Sequence, residues 1–404
     1  MQMNRRQFVA GLGAGLALSA SSTSSWAQTG PIRIGALNPV TGAGRPYGTG
    51  MQKMILAAAE TVNEAGGVLG RQVQIIAEDS QTNPQAAVLA AKKLIDVNGV
   101  QAILGTWSSG VTLAVLPLCR AANIPIFSTS GASALSDLTV TGGLGYRFHT
   151  PNGRTGHCYA EMCQREGFKR VATMAFNNAS GVGLTEGFAT AWKQMGNEVV
   201  EAVVYEPNQP SYCSELMKVL AAQPDAIVTG SYYADTTIIM REWFQAGQPT
   251  RWIIAGHATT PEFIKAVGPT VAEGVLTADL VVAKESPAYA PYDAAFTKVM
   301  SQPGESNIYA AMTWDMIIVL AVAIEAAGTA DMTAVNKAVR EVANSPGAKV
   351  HSFAEGKAKL PAGKTDYDGA SSILDFDENG DVTPSFGIYR IESGALVRKY
   401  TLQV

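Results

Sequence analysis

The stretch AILGTWSSGVTLAVLPLCRAANIPIFSTSGAS, residues 102–133, decides the fold. Ala102–Gly105 and Pro125–Ser128 are short apolar runs that read as buried strands. Gly110–Ala122 between them carries apolar residues at helical spacing. A strand, a helix and a second strand in this order make a parallel unit with a right-handed crossover. Each strand ends in a hydroxyl-rich loop, first Gly105-Thr106-Trp107-Ser108-Ser109-Gly110 and then Ser128-Thr129-Ser130-Gly131-Ala132-Ser133. Ser108 or Ser109 is placed as a helix N-cap, leaving amides that, with the helix dipole, favour an anion such as a carboxylate. Both loops lie at carboxyl ends of parallel strands, where open α/β sheets bind ligands. Ordinary capping explains either loop alone. Two at consecutive strand ends point to a shared small-anion site.

The same rhythm extends in both directions. Ile32–Leu37, Val73–Glu78, Val171–Phe176, Val199–Tyr205, Ala226–Gly230 and Trp252–Gly256 read as strands. Thr49–Ala65, Pro84–Val97, Thr155–Glu166, Leu184–Met195, Tyr212–Ala222 and Asp235–Ala246 read as helices. The alternation predicts parallel sheets covered by helices on both faces. It pauses at Arg147–Asn152 and restarts, which predicts two similar α/β lobes. In the C-terminal quarter, Asp293–Met300, Tyr309–Ala327 and Met332–Ala343 look helical. Ile373–Phe376, Phe386–Ile391 and Leu396–Thr401 look like strands, so the chain is expected to cross between lobes more than once. In the second half Gly230-Ser231-Tyr232-Tyr233-Ala234-Asp235 again joins a strand to a helix. Asp235 is either a first-turn acid of that helix or the counter-charge for a ligand cation. Tyr47, Trp107, Tyr212, Tyr232 and Tyr233 flank these loops, and aromatic walls with a few polar anchors suit a small, partly apolar ligand.

Composition excludes several classes. Of 404 residues, 47 % are hydrophobic and 16 % charged, which suits large cores and not disorder. A net charge of −4 gives no general basic surface for nucleic acid or anionic lipid. Residues 1–27 read as a secretory signal peptide: a basic start, an apolar Phe8–Ala20, and Ser25 and Ala27 at the cleavage positions. Arg5-Arg6 before Phe8 resembles a twin-arginine export signal, with a Sec-type signal as the alternative. The expected location is the periplasm. Met316–Ala327 is apolar but short and holds Glu325, which predicts a buried helix and not a membrane span. Cys119 and Cys213 are expected to be buried thiols, and Cys158 and Cys163 do not share a helical face well. His149, His157, His257 and His351 have no metal-ligand spacing. Asp375, Asp377, Asn379 and Gly380 begin like a calcium loop, but Phe386 stands where a bidentate Glu is required, so an Asn-Gly turn is expected. No phosphate loop or nucleophile elbow occurs in the mature region, and no histidine accompanies Ser108 and Ser109.

The ordered set Ile34-Gly35-Ala36, Pro39-Val40-Thr41-Gly42, Tyr47-Gly48, Asn63 to Gly70, Glu78-Asp79-Ser80, Asn83-Pro84, Ser108-Ser109-Gly110, Ile124-Pro125-Ile126 and Phe376 to Asp381 carries a resemblance. Over residues 31–404 the chain resembles the periplasmic solute-binding proteins of the branched-chain amino-acid (Leu/Ile/Val) class, which serve ABC importers. The resemblance implies the type I periplasmic-binding fold: two Rossmann-like α/β lobes with central parallel sheets, joined by three hinge crossovers. Lobe I would comprise 31–149 plus about 283–381, and lobe II 150–282 plus about 382–404. Position by position, Ser109 matches the serine that binds the ligand carboxylate, Trp107 and Ser108 share its loop, and Ser130, Gly131 and Ser133 complete that site. Asp235 matches an acid that receives the α-ammonium, where better-known members have Glu. Tyr47 and Tyr212 match aromatic walls of the two lobes, beside Tyr232, and a tyrosine frequent in the family is replaced near Val182. The implied protein is a monomer with a small-molecule ligand, ABC permease subunits as membrane partners, no nucleic acid, no cofactor and no catalytic activity. Relatives of the same build serve amides, urea-like compounds and aromatic carboxylates, and a ligand sensor is the other use of the fold. A secreted serine hydrolase is the enzymatic rival, with His257 as its one cleft histidine.

Overall fold

Strand–helix alternation builds two separate sheets. In this computed structural model, residues 30–404 are described. The signal peptide assigned to residues 1–27 lies outside the described residues. The first sheet contains β1 (Ile32–Asn38), β2 (Val73–Asp79), β3 (Ile103–Thr106), β4 (Ile126–Ser128) and β5 (Gly145–Arg147) in the order β2-β1-β3-β4-β5. All its pairings are parallel. The second contains β6 (Val171–Phe176), β7 (Val199–Tyr205), β8 (Ala226–Gly230), β9 (Arg251–Ile253) and β10 (Leu276–Leu280), extended by two later strands. A small parallel pair, β11 (Ala348–Val350) and β12 (Thr365–Tyr367), stands apart. The later strands β13 (Phe386–Glu392) and β14 (Ala395–Leu402) pair antiparallel at one edge, giving the order β14-β13-β10-β9-β8-β6-β7. The lobes are thus parallel α/β layers, one carrying an antiparallel border.

The chain passes between the sheets three times, at 148–151, 281–288 and 382–385. Two of these segments touch, since the Val281 amide donates to the Ser385 carbonyl at 3.1 Å. The returning segment leads into the helix Ile308–Ala327, in which every residue from Ile308 to Ile324 is buried. It is long and apolar enough to cross a membrane, but here it is a core helix enclosed by the protein. It packs against the helix Arg45–Glu64, where Thr313 Oγ1 donates to the Met51 carbonyl and Asn307 Nδ2 to the Tyr47 carbonyl. Gly50 permits that approach, because a Cβ there would lie 2.7 Å from Asn307 Nδ2.

Three sequence expectations need correction. Ile373–Phe376 forms no strand: the Phe376 backbone is satisfied at both its amide and its carbonyl by the Asn344 side chain, and not by a neighbouring strand. β10 went unpredicted, although it lies inside the second sheet, between β13 and β9. Cys213 is exposed, whereas Cys119, Cys158 and Cys163 are buried, and all four are free thiols. The Asp377–Asp381 segment is a turn in which Asp377 Oδ1 accepts the Asn379 and Asp381 amides.

The helix Asn152–Glu166, which opens the second lobe, lies very close to the helix Ala179–Gln194. A Cβ on Gly156 would stand 2.2 Å from the Phe188 nitrogen and 2.5 Å from the Gly187 carbon, both backbone atoms. Gly156→Ala must therefore push the two helices apart. It is expected to lower stability by about 1–3 kcal/mol, read as a lower melting temperature, whereas Gly153→Ala meets nothing within 4 Å and serves as control.

Candidate functional site

Trp107 stands at the centre of the cleft. It follows β3, and its ring centroid lies 5.2 Å from Tyr232 after β8 and 5.8 Å from His257 after β9. Tyr47 stacks behind it at 6.0 Å and Tyr309 meets it edge-on at 5.9 Å. The first lobe's aromatics therefore touch the second lobe's strand-end loops directly. Tyr47 also donates its hydroxyl to the His257 carbonyl at 3.1 Å, a hydrogen bond between the lobes. The space beside Trp107 is about 40 Å³. That is room for a water or so.

Hydroxyls and amides crowd the first-lobe side. Ser108 is the N-cap of the helix Ser109–Ala121, but its side chain makes no capping bond, which leaves the first-turn amides open. Ser130 Oγ donates to Ser109 Oγ at 3.3 Å, and both residues are buried. Gly131 lines the cavity, and a Cβ there would sit 1.9 Å from Asn152 Oδ1, so a larger residue must displace the Asn152 side chain. Thr129 also lines it, as does Thr155 from the second lobe's helix Asn152–Glu166, and the hydroxyl of each is buried without a hydrogen-bond partner. Hydroxyls of this kind are completed by a bound polar group.

The second-lobe side supplies charge. Asp279 of β10 faces the cavity, with Oδ1 accepting only the Leu280 amide at 2.8 Å. No Lys or Arg among the described residues lines the cavity. Burial without a compensating cation pushes the Asp279 carboxyl up to about 6. His149 and His257 line the same space, and burial pulls each ring down to about 4. At neutral pH both rings are uncharged and Asp279 is the cavity's one anionic side chain.

The structure brings some predicted residues together and separates others. Trp107, Gly131 and Tyr232 line the cavity, with Tyr47, Ser108, Ser109 and Ser130 buried around it. Ser133 is exposed and begins a short 3-10 turn outside the lining. Asp235 and Tyr212 also stand outside the lining. Tyr212 donates its hydroxyl to Asp235 Oδ1 at 2.6 Å, and the Asn208 amide donates to the same oxygen. Asp235 is thus already engaged with its own lobe. Sequence reasoning missed Asp279, His149, Asn152, Tyr159 and Tyr309. A signal existed for Asp279, a lone acid within the apolar run Val275–Val282.

Comparison with known proteins places the chain. The family described as "Periplasmic binding protein" matches residues 31–363. The chain belongs to that family. Leu/Ile/Val-binding protein homolog 3 of Brucella melitensis is 26 % identical over 374 residues, covering 91 % of this chain and 93 % of that protein. The leucine-binding protein LivK of Thermotoga maritima superposes with a TM-score of 0.78 at 23 % identity, over 92 % of this chain and 99 % of that one. A solute-binding protein of R. palustris, solved in complex with 4-hydroxybenzoate, gives 0.75 at 19 % identity, over 92 % and 97 %. This periplasmic binding protein accordingly has the two-lobed α/β fold of the branched-chain amino-acid class.

The neutral histidines set a pH dependence. An unfolded histidine titrates near its ordinary value of about 6.5, above the folded value, so the stabilising contribution is complete above pH 6.5 and is lost as pH falls toward about 4. At pH 5 each ring costs about 2 kcal/mol relative to pH 7. Asp279 acts in the opposite sense, because its raised value favours the folded state on acidification. His257→Gln removes one histidine titration and leaves Asp279. The fall in melting temperature from pH 7 to pH 5 is expected to be smaller in this variant than in the parent.

Proposed function

We propose that this periplasmic binding protein is the extracytoplasmic solute-binding component of an ABC importer. It captures a small amino-acid-like carboxylate with an apolar body, a branched-chain or other hydrophobic amino acid. Lobe I, 31–149 with about 283–381, and lobe II, 150–282 with about 382–404, close over the ligand. The observation that carries the ligand class is Asp279, an acid facing the cavity with no protein cation beside it. The ligand's ammonium supplies the missing charge and is held there. Its carboxylate lies toward Ser109, Ser130, the Gly131 amide and the open start of the helix Ser109–Ala121. Its body lies between Trp107 and Tyr232. In this reading Asp279 takes the role that the family resemblance gave Asp235, and Asp235 with Tyr212 supports the neighbouring loop. Relatives named for Leu, Ile and Val binding support the amino-acid assignment. No histidine ring is within hydrogen-bond reach of Ser109 or Ser130 among the described residues, which disfavours a serine hydrolase.

A second reading, an aromatic carboxylate, draws on the wall formed by Trp107, Tyr232 and Tyr309. A thermal-shift screen followed by calorimetry separates the two. L-leucine, L-isoleucine, L-valine or L-phenylalanine is expected to raise the melting temperature by mass action. Asp279→Asn is expected to weaken that ligand by about 30-fold or more, the effect of unpairing a buried ammonium. Asp235→Asn is expected to weaken it less. Stabilisation by 4-hydroxybenzoate alone, unaffected by Asp279→Asn, would replace the amino-acid reading with the aromatic one.

A further inference from the structure

We infer that Arg147 is a positioning residue, whose buried guanidinium fixes the Ser130–Ser136 loop to Asp381 at the roots of two interlobe crossings. The inference rests on the proposed reading of that loop as the carboxylate side of the cleft. Arg147 ends β5, one residue before the first crossing, and Asp381 directly precedes the third. The side chain is 1 % exposed. Its Nε donates to Asp381 Oδ1 at 2.7 Å, its Nη1 to the Ala132 carbonyl at 2.8 Å and its Nη2 to Ser136 Oγ at 2.9 Å. Ser136 Oγ closes the ring by donating to Asp381 Oδ2 at 2.6 Å. The two backbones are joined as well, because the Arg147 amide donates to the Gly380 carbonyl at 2.8 Å.

Stability alone does not account for this arrangement. A buried ion pair is worth little more than apolar residues of the same volume, so its presence points to geometry. Two of the three guanidinium contacts go to the loop and only one to the counter-ion. The loop belongs to no sheet. Besides a short 3-10 turn and the burial of Ala132 and Leu135, its polar ties outside Arg147 are Ser130 Oγ, which accepts the Ala132 amide and donates to Ser109 Oγ, Gly131, which accepts the Asn152 amide, and Ser136 Oγ, which donates to Asp381. Arg147 is the rigid, planar donor that holds Ala132 and Ser136 at once. Any change in direction of the first or third crossing therefore acts on the loop through Arg147 and Asp381, which links lobe movement to the shape of the anion side.

The test compares Arg147→Met, Arg147→Lys and Ser136→Ala with the parent, all ligand-free, by hydrogen exchange. Amides of residues 129–136 are expected to exchange at least tenfold faster in Arg147→Met, with the second sheet unchanged. Arg147→Lys, charged but without the fork, and Ser136→Ala are expected to fall between. In calorimetry, Arg147→Met is expected to lose tenfold or more affinity for L-leucine and markedly less for L-leucinamide, which lacks the carboxylate. Unchanged loop exchange in both Arg147→Met and Ser136→Ala, or exchange raised uniformly over the protein, would overturn the inference. If Arg147→Met does not fold, Ser136→Ala decides by the same loop criterion. If the parent binds no L-leucine, the amino-acid reading fails while the exchange result still decides the role of Arg147.

Discussion

Parallel strands all end on the same side of their sheet, and everything the cleft can do follows from that constraint. Trp107 and Ser130 come to one edge because β3 and β4 run the same way. Tyr232 and His257 come to the opposing edge because β8 and β9 do. A sheet of antiparallel hairpins would scatter these loops over two edges. With two sheets facing each other across three short crossings, loops distant in sequence meet around one aromatic ring, Trp107.

The two sides of the cleft differ in chemistry because they are built differently. The first lobe offers hydroxyls and helix-start amides, which are neutral donors suited to an anion. The second offers Asp279 from the carboxyl end of β10, with no protein cation among the residues that line the cavity. Neither half is satisfied alone: Thr129 in the first lobe and Thr155 in the second hold unpartnered hydroxyls, and Asp279 in the second holds an unbalanced charge. Buried polar groups in this state cost free energy until something complementary arrives. In the proposed reading, a ligand with opposite charges at its two ends meets both needs.

Much of the fold was legible because local pattern and tertiary role agree. Val171–Phe176, Val199–Tyr205 and Ala226–Gly230 are strands to the residue, since apolar runs between helices leave few other solutions. The loops holding Trp107, Gly131 and Tyr232 were legible for the same reason, as they follow such strands directly. Reading failed where tertiary contacts overrule sequence. Ile373–Phe376 is β-branched and aromatic enough for a strand, yet Asn344 takes the Phe376 hydrogen bonds and Ile373 makes only an isolated bridge to Asp368. Asp279 breaks the apolar pattern of β10 and hid that strand. His149 arrives on a crossing segment and Tyr309 on the returning core helix, and no local periodicity says where those segments end in space.

The thiols carry a consequence of their own. Cys119, Cys158 and Cys163 are sealed in the cores, and burial pushes the Cys119 sulfur up to about 12, so it stays protonated and unreactive at neutral pH. Cys213 alone meets solvent. Among the described residues no covalent cross-link takes part in holding this fold together. The packing of the two sheets and their helices is therefore the same whether their surroundings reduce or oxidise thiols.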